Sequence, residues 1–162
     1  MPVLKVKIRT IIDLRMYIVY NGGMNAYDLC RLSGLTYRQV GYLLKSTDVF
    51  KHRDRRRGRY AKYSYKDAVL IMVAKILRDD SAKMSVINHV FNLIIDNWKT
   101  DNPEDAGVIM LWADGVYRWS EYAYNLAVDD FIQSLDRFTH VPKFFYNVRQ
   151  IAYKVQDDTN LD

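Results

Sequence analysis

Residues 25–46 read NAYDLCRLSGLTYRQVGYLLKS, and this stretch decides the fold. Asn25 stands three residues before Asp28, the spacing at which a capping side chain and a third-position carboxylate satisfy each other's free backbone N–H groups. A helix is predicted over Ala26–Ser33, with Leu29, Cys30 and Leu32 turned inward. Gly34 ends it, because glycine takes the left-handed cap conformation at no steric cost. Leu35 fills the turn and Thr36 caps a second helix over Tyr37–Ser46. Val40, Leu43 and Leu44 share one side of this second helix, while Arg38, Gly41, Tyr42 and Lys45 fall at i, i+3, i+4 and i+7 on the other. A helix, a short glycine turn and a helix make a helix-turn-helix layout. The glycine costs roughly 1 kcal/mol in a helix relative to alanine. It is explained if another surface approaches closely there; an ordinary solvated face is the alternative.

Upstream, Val6–Tyr20 shows helical apolar spacing and ends at Asn21-Gly22-Gly23. Downstream lies a run of guanidinium groups around one glycine, Lys51-His52-Arg53-Asp54-Arg55-Arg56-Arg57-Gly58-Arg59-Tyr60. Val49–His52 and Arg59–Tyr63 read as two strands with Asp54–Gly58 as the tip between them. Ser64 and Asp67 form another capping box and open a helix to about Arg78. After a loop over 79–83, Ser85 is expected to cap a helix to about Trp98. The acidic stretch Thr100–Gly107, with Pro103, reads as a boundary. Val108–Ala113 and Val116–Tyr122 flank Asp114-Gly115, which predicts a hairpin closed by a two-residue type I′ turn. Helices are predicted over Val128–Phe138 and Lys143–Gln156, and the polar end Asp157–Asp162 is expected to fray.

Charge divides unevenly along the chain. Residues 1–63 hold 14 Lys/Arg and 4 Asp/Glu, a net +10, and residues 64–162 hold 10 and 15, a net −5. One end is suited to a polyanion and the other to a different task. The 162 residues suffice for one large domain or two small ones. No apolar run reaches the roughly 18 residues of a membrane span, and no signal peptide is expected after Met1–Lys5. The single cysteine, Cys30, excludes an intramolecular disulfide and a multi-thiolate zinc site. His52, His89 and His140 are scattered, so no metal and no cofactor are expected; no nucleotide loop or nucleophile elbow occurs. Asp129, Asp130 and Asp136 read as a solvated helical face rather than a catalytic pair. The aromatics Trp112, Tyr117, Trp119, Tyr122 and Tyr124 could stack on bases, but such residues more often pack a core or an interface.

From Met24 to about Leu93, under half of the chain, the sequence resembles the DNA-binding module of MerR-type regulators. Tyr27-Asp28-Leu29 and Ser33-Gly34-Leu35-Thr36 sit where that module has its first helix and turn. Arg38 and Tyr42 match the arginine and tyrosine of its recognition helix. Gly58-Arg59-Tyr60 and Tyr63-Ser64-Tyr65-Lys66-Asp67 match its two-stranded wing and the cap of the next helix, and Met84-Ser85-Val86 matches the start of the helix after that. Two features depart from the family: a helix precedes the motif, and no long coiled-coil helix follows it. The resemblance implies DNA binding; the two departures, and Cys30 in a helix where the core would claim it, speak against the family's metal- or drug-sensing mechanism.

The expected fold is mainly α with small β-hairpins: a winged helix-turn-helix over residues 5–99, then a small α+β domain over 107–156 for self-association or partner binding. The expected function is sequence-specific binding of double-stranded DNA by an intracellular, nucleoid-associated transcription regulator, not an enzyme. An architectural role in recombination, replication or segregation is the alternative; RNA binding or an enzyme accessory role stands further off. Thr36, Tyr37, Arg38, Gln39, Gly41, Tyr42 and Lys45 are the expected contacts of the recognition helix. Lys51, Arg53, Arg55, Arg56, Arg57, Arg59 and Lys62 are those of the wing. A homodimer is expected through the second hairpin, with Ile109, Leu111, Trp112 and Trp119 at the seam, because Val108–Ala113 is apolar on both faces. No residue pattern points to a particular small-molecule effector.

Overall fold

A computed structural model describes residues 23–51, 62–111, 115–120 and 144–160. The predicted helices Val6–Tyr20 and Val128–Phe138, and the basic run Arg53–Arg59, lie outside these residues. Among the described residues the chain is mostly helical, with a small three-stranded antiparallel sheet. Six α-helices are described: α1 Ala26–Ser33, α2 Tyr37–Ser46, α3 Asp48–Lys51, α4 Tyr65–Asp79, α5 Met84–Asn97 and α6 Val148–Asn160. A 3-10 turn spans Pro103–Asp105, and the strands are β1 Val108–Leu111, β2 Tyr117–Ser120 and β3 Phe144–Asn147.

Helix α4 is apolar nearly all round, and Ala68 through Ala74 are buried without a break. Such a run must be enclosed; solvent reaches the last turn of the helix, where Lys75 and Asp79 pair at 2.8 Å. Leu29 of α1 and Val40 and Leu43 of α2 are fully buried in the cluster around it, as are Ile87, Val90, Phe91 and Ile94 of α5 and Ala152 and Val155 of α6. One cluster of buried side chains thus runs from Met24 to Val155, across the stretch 100–107. That stretch is held to it: Trp98 is fully buried and donates its Nε1–H to the Asn102 carbonyl at 2.9 Å, and Pro103 and Ala106 are buried.

Apart from α6, which runs on through residues 157–160 that were expected to fray, the structure departs from the sequence reading in four places. Residues 49–51, read as part of the strand Val49–His52, lie in the short helix α3, Asp48–Lys51. Phe50 decides this by seating edge-on between Phe91 at 6.0 Å and Tyr63 at 6.4 Å. Asn88 also accepts the Asp48 N–H at 3.0 Å. Tyr63 instead pairs with Met24 in an isolated antiparallel bridge, with N–H···O distances of 2.8 and 2.7 Å. Residues 144–147, read as the start of a helix, form β3. They satisfy the free edge of β1, and Asn147 then accepts the Gln150 N–H at 2.7 Å in the first turn of α6. The cap of α5 is Lys83, not Ser85, and it makes no side-chain hydrogen bond.

The fourth departure is the hairpin register. A two-residue turn at Asp114-Gly115 would set Ala113 opposite Val116, but Leu111 lies opposite Tyr117 and residues 112–116 fall between. A one-residue slip moves every side chain of a strand to the other face. The observed register puts Tyr117 and Trp119 on the same face as Ile109, Leu111 and Tyr146, toward the core. With β2 on one side and β3 on the other, β1 is the central strand. Its apolar character on both faces follows, since Val108, Ile109 and Met110 are all buried within this one chain.

Two predictions follow from the packing. A Cβ on Gly107 would stand 2.5 Å from the Ser120 carbonyl oxygen and 2.7 Å from the Trp119 ring. Backbone and a packed indole cannot both yield, so Gly107→Ala should destabilise the protein by about 1–3 kcal/mol, read as a lower melting temperature. The second concerns the Tyr146 hydroxyl, which donates to Asp80 Oδ2 at 2.8 Å. Burial first, then the bond to Asp80 and its charge, push the Tyr146 hydroxyl well above the usual tyrosine range; burial and Asp80 push Tyr117 the same way. A raised pKa means that the neutral form is favoured by folding, so this stability is complete below about pH 10 and lost above it. Melting temperature should be flat near pH 9 and fall above about pH 10. The fall should be shallower in Tyr146→Phe, which is less stable than the wild type at neutral pH.

Candidate nucleic-acid interface

Local hydrogen bonds fix the helix pair α1–α2. At the start of α1, Asn25 Oδ1 accepts the N–H groups of Tyr27 and Asp28 at 2.8 and 3.1 Å, and Asp28 Oδ2 accepts the Asn25 N–H at 2.8 Å. At the start of α2, Thr36 Oγ1 accepts the Gln39 N–H at 3.3 Å, while Gln39 Oε1 accepts the Thr36 N–H at 2.8 Å and its hydroxyl at 3.0 Å. Gly34 adopts φ +69° and donates its N–H to the Cys30 carbonyl at 2.8 Å. The buried Ser33 hydroxyl donates to the Leu29 carbonyl at 2.6 Å and accepts the Leu35 N–H at 3.2 Å. Every residue of this turn is therefore held by short-range bonds, and the two helices present one fixed surface.

That surface is aromatic and cationic. Tyr27 is 65% exposed, Tyr37 51% and Tyr42 54%, and Arg38 and Lys45 are exposed beside them. The Tyr27 ring stacks on Tyr37 with centroids 5.1 Å apart and planes 26° apart. Tyrosines offer large contact area with a polar tip. Gly41 lies in the middle of α2, and nothing stands within 4 Å of where its Cβ would be. The fold itself does not require a glycine there.

The expected contacts of α2 divide in two. Tyr37, Arg38, Tyr42 and Lys45 are exposed and free of the core, and Gly41 is half-buried with open space where a Cβ would stand, whereas Thr36 and Gln39 are engaged with each other in the capping box. Of the basic run, Lys51 is exposed at the end of α3 and Lys62 is exposed beside Gly23. Arg53, Arg55, Arg56, Arg57 and Arg59 lie outside the described residues. The Met24–Tyr63 bridge brings the chain leaving that run back to the start of α1. Gly23 has φ +67°, and a Cβ there would stand 2.8 Å from Lys62 Cβ, so the two segments run in close contact. Tyr27 was missed by the sequence reading. The available signal was a large aromatic in the first turn of a helix whose inward set, Leu29, Cys30 and Leu32, does not include it.

Elsewhere the expected interface residues fare differently. Ile109 is fully buried in the chain's own core and offers no surface to a partner, which corrects its placement at a seam. Leu111 and Trp119 are half-buried, and Trp112 lies outside the described residues. Cys30 is half-buried and burial pushes its thiol up, away from the reactive thiolate. Among the described residues no group of three or more His, Cys, Asp or Glu could hold a metal ion, and no helix is long and apolar enough to cross a membrane. No protein-family model, curated protein or solved structure matches the chain.

The caps carry a prediction of their own. Thr36→Ala removes the acceptor for the Gln39 N–H and one donor to Gln39 Oε1. It should destabilise the protein by about 1 kcal/mol, measured by urea denaturation. An unchanged midpoint would show that the start of α2 is held by packing alone.

Proposed function

We propose that α1, the Gly34 turn, α2 and the chain from Lys51 to Tyr63 form a winged helix-turn-helix that binds double-stranded DNA. In this reading α2 enters the major groove, and the basic run reaches the flanking phosphates as a wing. One observation carries it: Tyr27, Tyr37, Arg38, Tyr42 and Lys45 are exposed around two rigidly capped helices, and the core claims none of them. Guanidinium and ammonium groups beside phenols fit phosphate, sugar and base edges together, with arginine able to pair in a bidentate way with guanine. The face is built for binding rather than catalysis, and sequence-specific control of transcription is the role it fits best. The location that goes with this role is intracellular, at the nucleoid.

A single unit of this kind reads few base pairs, and two-fold symmetry is the usual means of doubling the site. A homodimer therefore belongs to the proposal, with Leu111 and Trp112 as its remaining candidate contacts; the Trp119 indole is packed against the chain's own core.

The test is a binding titration of the full chain on random-sequence duplex DNA, on a duplex selected from a random pool, on single strands and on structured RNA, across a salt series. Log K for duplex DNA should fall with log salt at about −0.9 per phosphate neutralised. Replacing Arg56 and Arg57 together by alanine should flatten that slope by roughly two such contacts. Arg38→Ala should weaken the selected duplex by ~1–3 kcal/mol more than the random one. Absence of duplex binding, or stronger binding to RNA, would overturn the reading.

A further inference from the structure

We infer that Tyr27 is a positioning residue for base reading: from α1 it braces the Tyr37 ring, so that Tyr37 meets the major groove already ordered. The inference rests on the proposal that α2 lies in that groove. It begins with the place of Tyr37. This is the first residue of α2, and the leading end of a recognition helix is the part that reaches base edges. Its ring is exposed and stands outside the core cluster.

Helix α2 gives that ring no support of its own. A helical side chain leans toward the N-terminus, over the residue one turn earlier. The residues one turn after Tyr37 are Val40 and Gly41. Val40 is fully buried in the core, and Gly41 has no side chain, with open space where a Cβ would stand. The support comes from the other helix. Tyr27 stacks on Tyr37 with ring centroids 5.1 Å apart and planes 26° apart. Tyr27 is itself held: its N–H donates to Asn25 Oδ1 at 2.8 Å, and the fully buried Leu29 anchors α1. Tyr42 makes the contrast. It is as exposed as Tyr37, yet among the described residues no ring stacks on it. A free tyrosine loses rotamer freedom when another surface closes over it, and a ring already held loses less. Tyr27 therefore contributes to binding through Tyr37, without a base contact of its own.

The experiment uses the full chain, with a duplex selected by it from a random pool and a random-sequence duplex beside it. Tyr27 is exposed and the α1 cap is made by Asn25 and Asp28, so its variants keep the fold, and melting temperature checks this. Tyr27→Leu removes the stack and should weaken the selected duplex by about threefold to tenfold. The random duplex should lose less, because phosphate contacts do not run through this ring. Tyr27→Phe, which keeps the stack, should recover most of the loss. In a Tyr37→Ala background the effect of Tyr27→Leu should shrink to at most about twofold, whereas in a Tyr42→Ala background it should stay whole. If the wild type binds no duplex, the underlying reading of α2 fails and this inference with it. If the wild type binds but Tyr27→Leu or Tyr37→Ala binds as tightly, only the present inference falls. If Tyr27→Phe loses as much as Tyr27→Leu, or the loss persists in the Tyr37→Ala background, Tyr27 touches DNA itself and the brace is wrong.

Discussion

Helix α4 is the constraint on which the rest of the structure depends. Ten of its fifteen residues are buried, including the unbroken run Asp67–Ala74. No amphipathic arrangement can hide such a helix on one side only, so the remaining elements must surround it. Its first turn is fixed by Ser64 and Asp67, each accepting the other's backbone N–H. The Tyr65 hydroxyl, inside the same turn, donates to the Ala152 carbonyl of α6. The helix pair that carries the exposed tyrosines is rigid for this reason. Leu29, Val40 and Leu43 dock in the α4 cluster with no exposed surface, and the outward side chains inherit that fixed position.

Polar joins bind the later part of the chain to the same helix. Lys66 donates to the Trp98 carbonyl at 2.9 Å, pairs with Asp101 at 3.3 Å and lies 5.1 Å from the centre of the Trp98 ring. Arg149 donates through Nε to the Ala106 carbonyl at 3.1 Å and through a terminal nitrogen to the Glu104 carbonyl. Asp80, at the end of α4, receives the hydroxyl of Tyr146 from β3. The stretch that composition marks as a boundary is therefore a packed corner. Arg149 of α6 caps two of its carbonyls, and Lys66 of α4 binds the Trp98 carbonyl just before it and the Asp101 carboxylate within it, so backbone groups that turn away from regular structure near the core are still paired.

The surface of α2 shows a division of labour set by position on the helix. Thr36 and Gln39 satisfy the free N–H groups of the first turn, Val40 and Leu43 meet the core, and Tyr37, Arg38, Gly41, Tyr42 and Lys45 are left outward. Gln39 shows how the first of these roles removes a residue from the others. Its amide oxygen already holds two donors from Thr36. Tyr27 shows the reverse: it belongs to α1, yet its ring completes the α2 surface by stacking on Tyr37.

The sequence by itself determined α1, the Gly34 turn, α2 and α4, together with the exposed stripe of α2. All of these rest on signals within a few residues: capping pairs at three-residue spacing, a glycine at a left-handed position and a 3.6-residue apolar period. Only the tertiary structure decided the rest, because there the competing energies come from residues far along the chain. Val49 and Phe50 favour a strand by propensity, but Phe91 and Asn88 draw residues 48–51 into a helical turn. Residues 144–147 became a strand because the edge of β1, more than thirty positions earlier, needed hydrogen-bond partners. The hairpin took the register that turns Tyr117 and Trp119 toward the core, overriding the turn that Asp114-Gly115 favours. A local signal of a few tenths of a kcal/mol yields to the burial of one aromatic side chain, at about 1.5–3 kcal/mol. That difference in size separates the elements legible in the chain from those settled only when it packs.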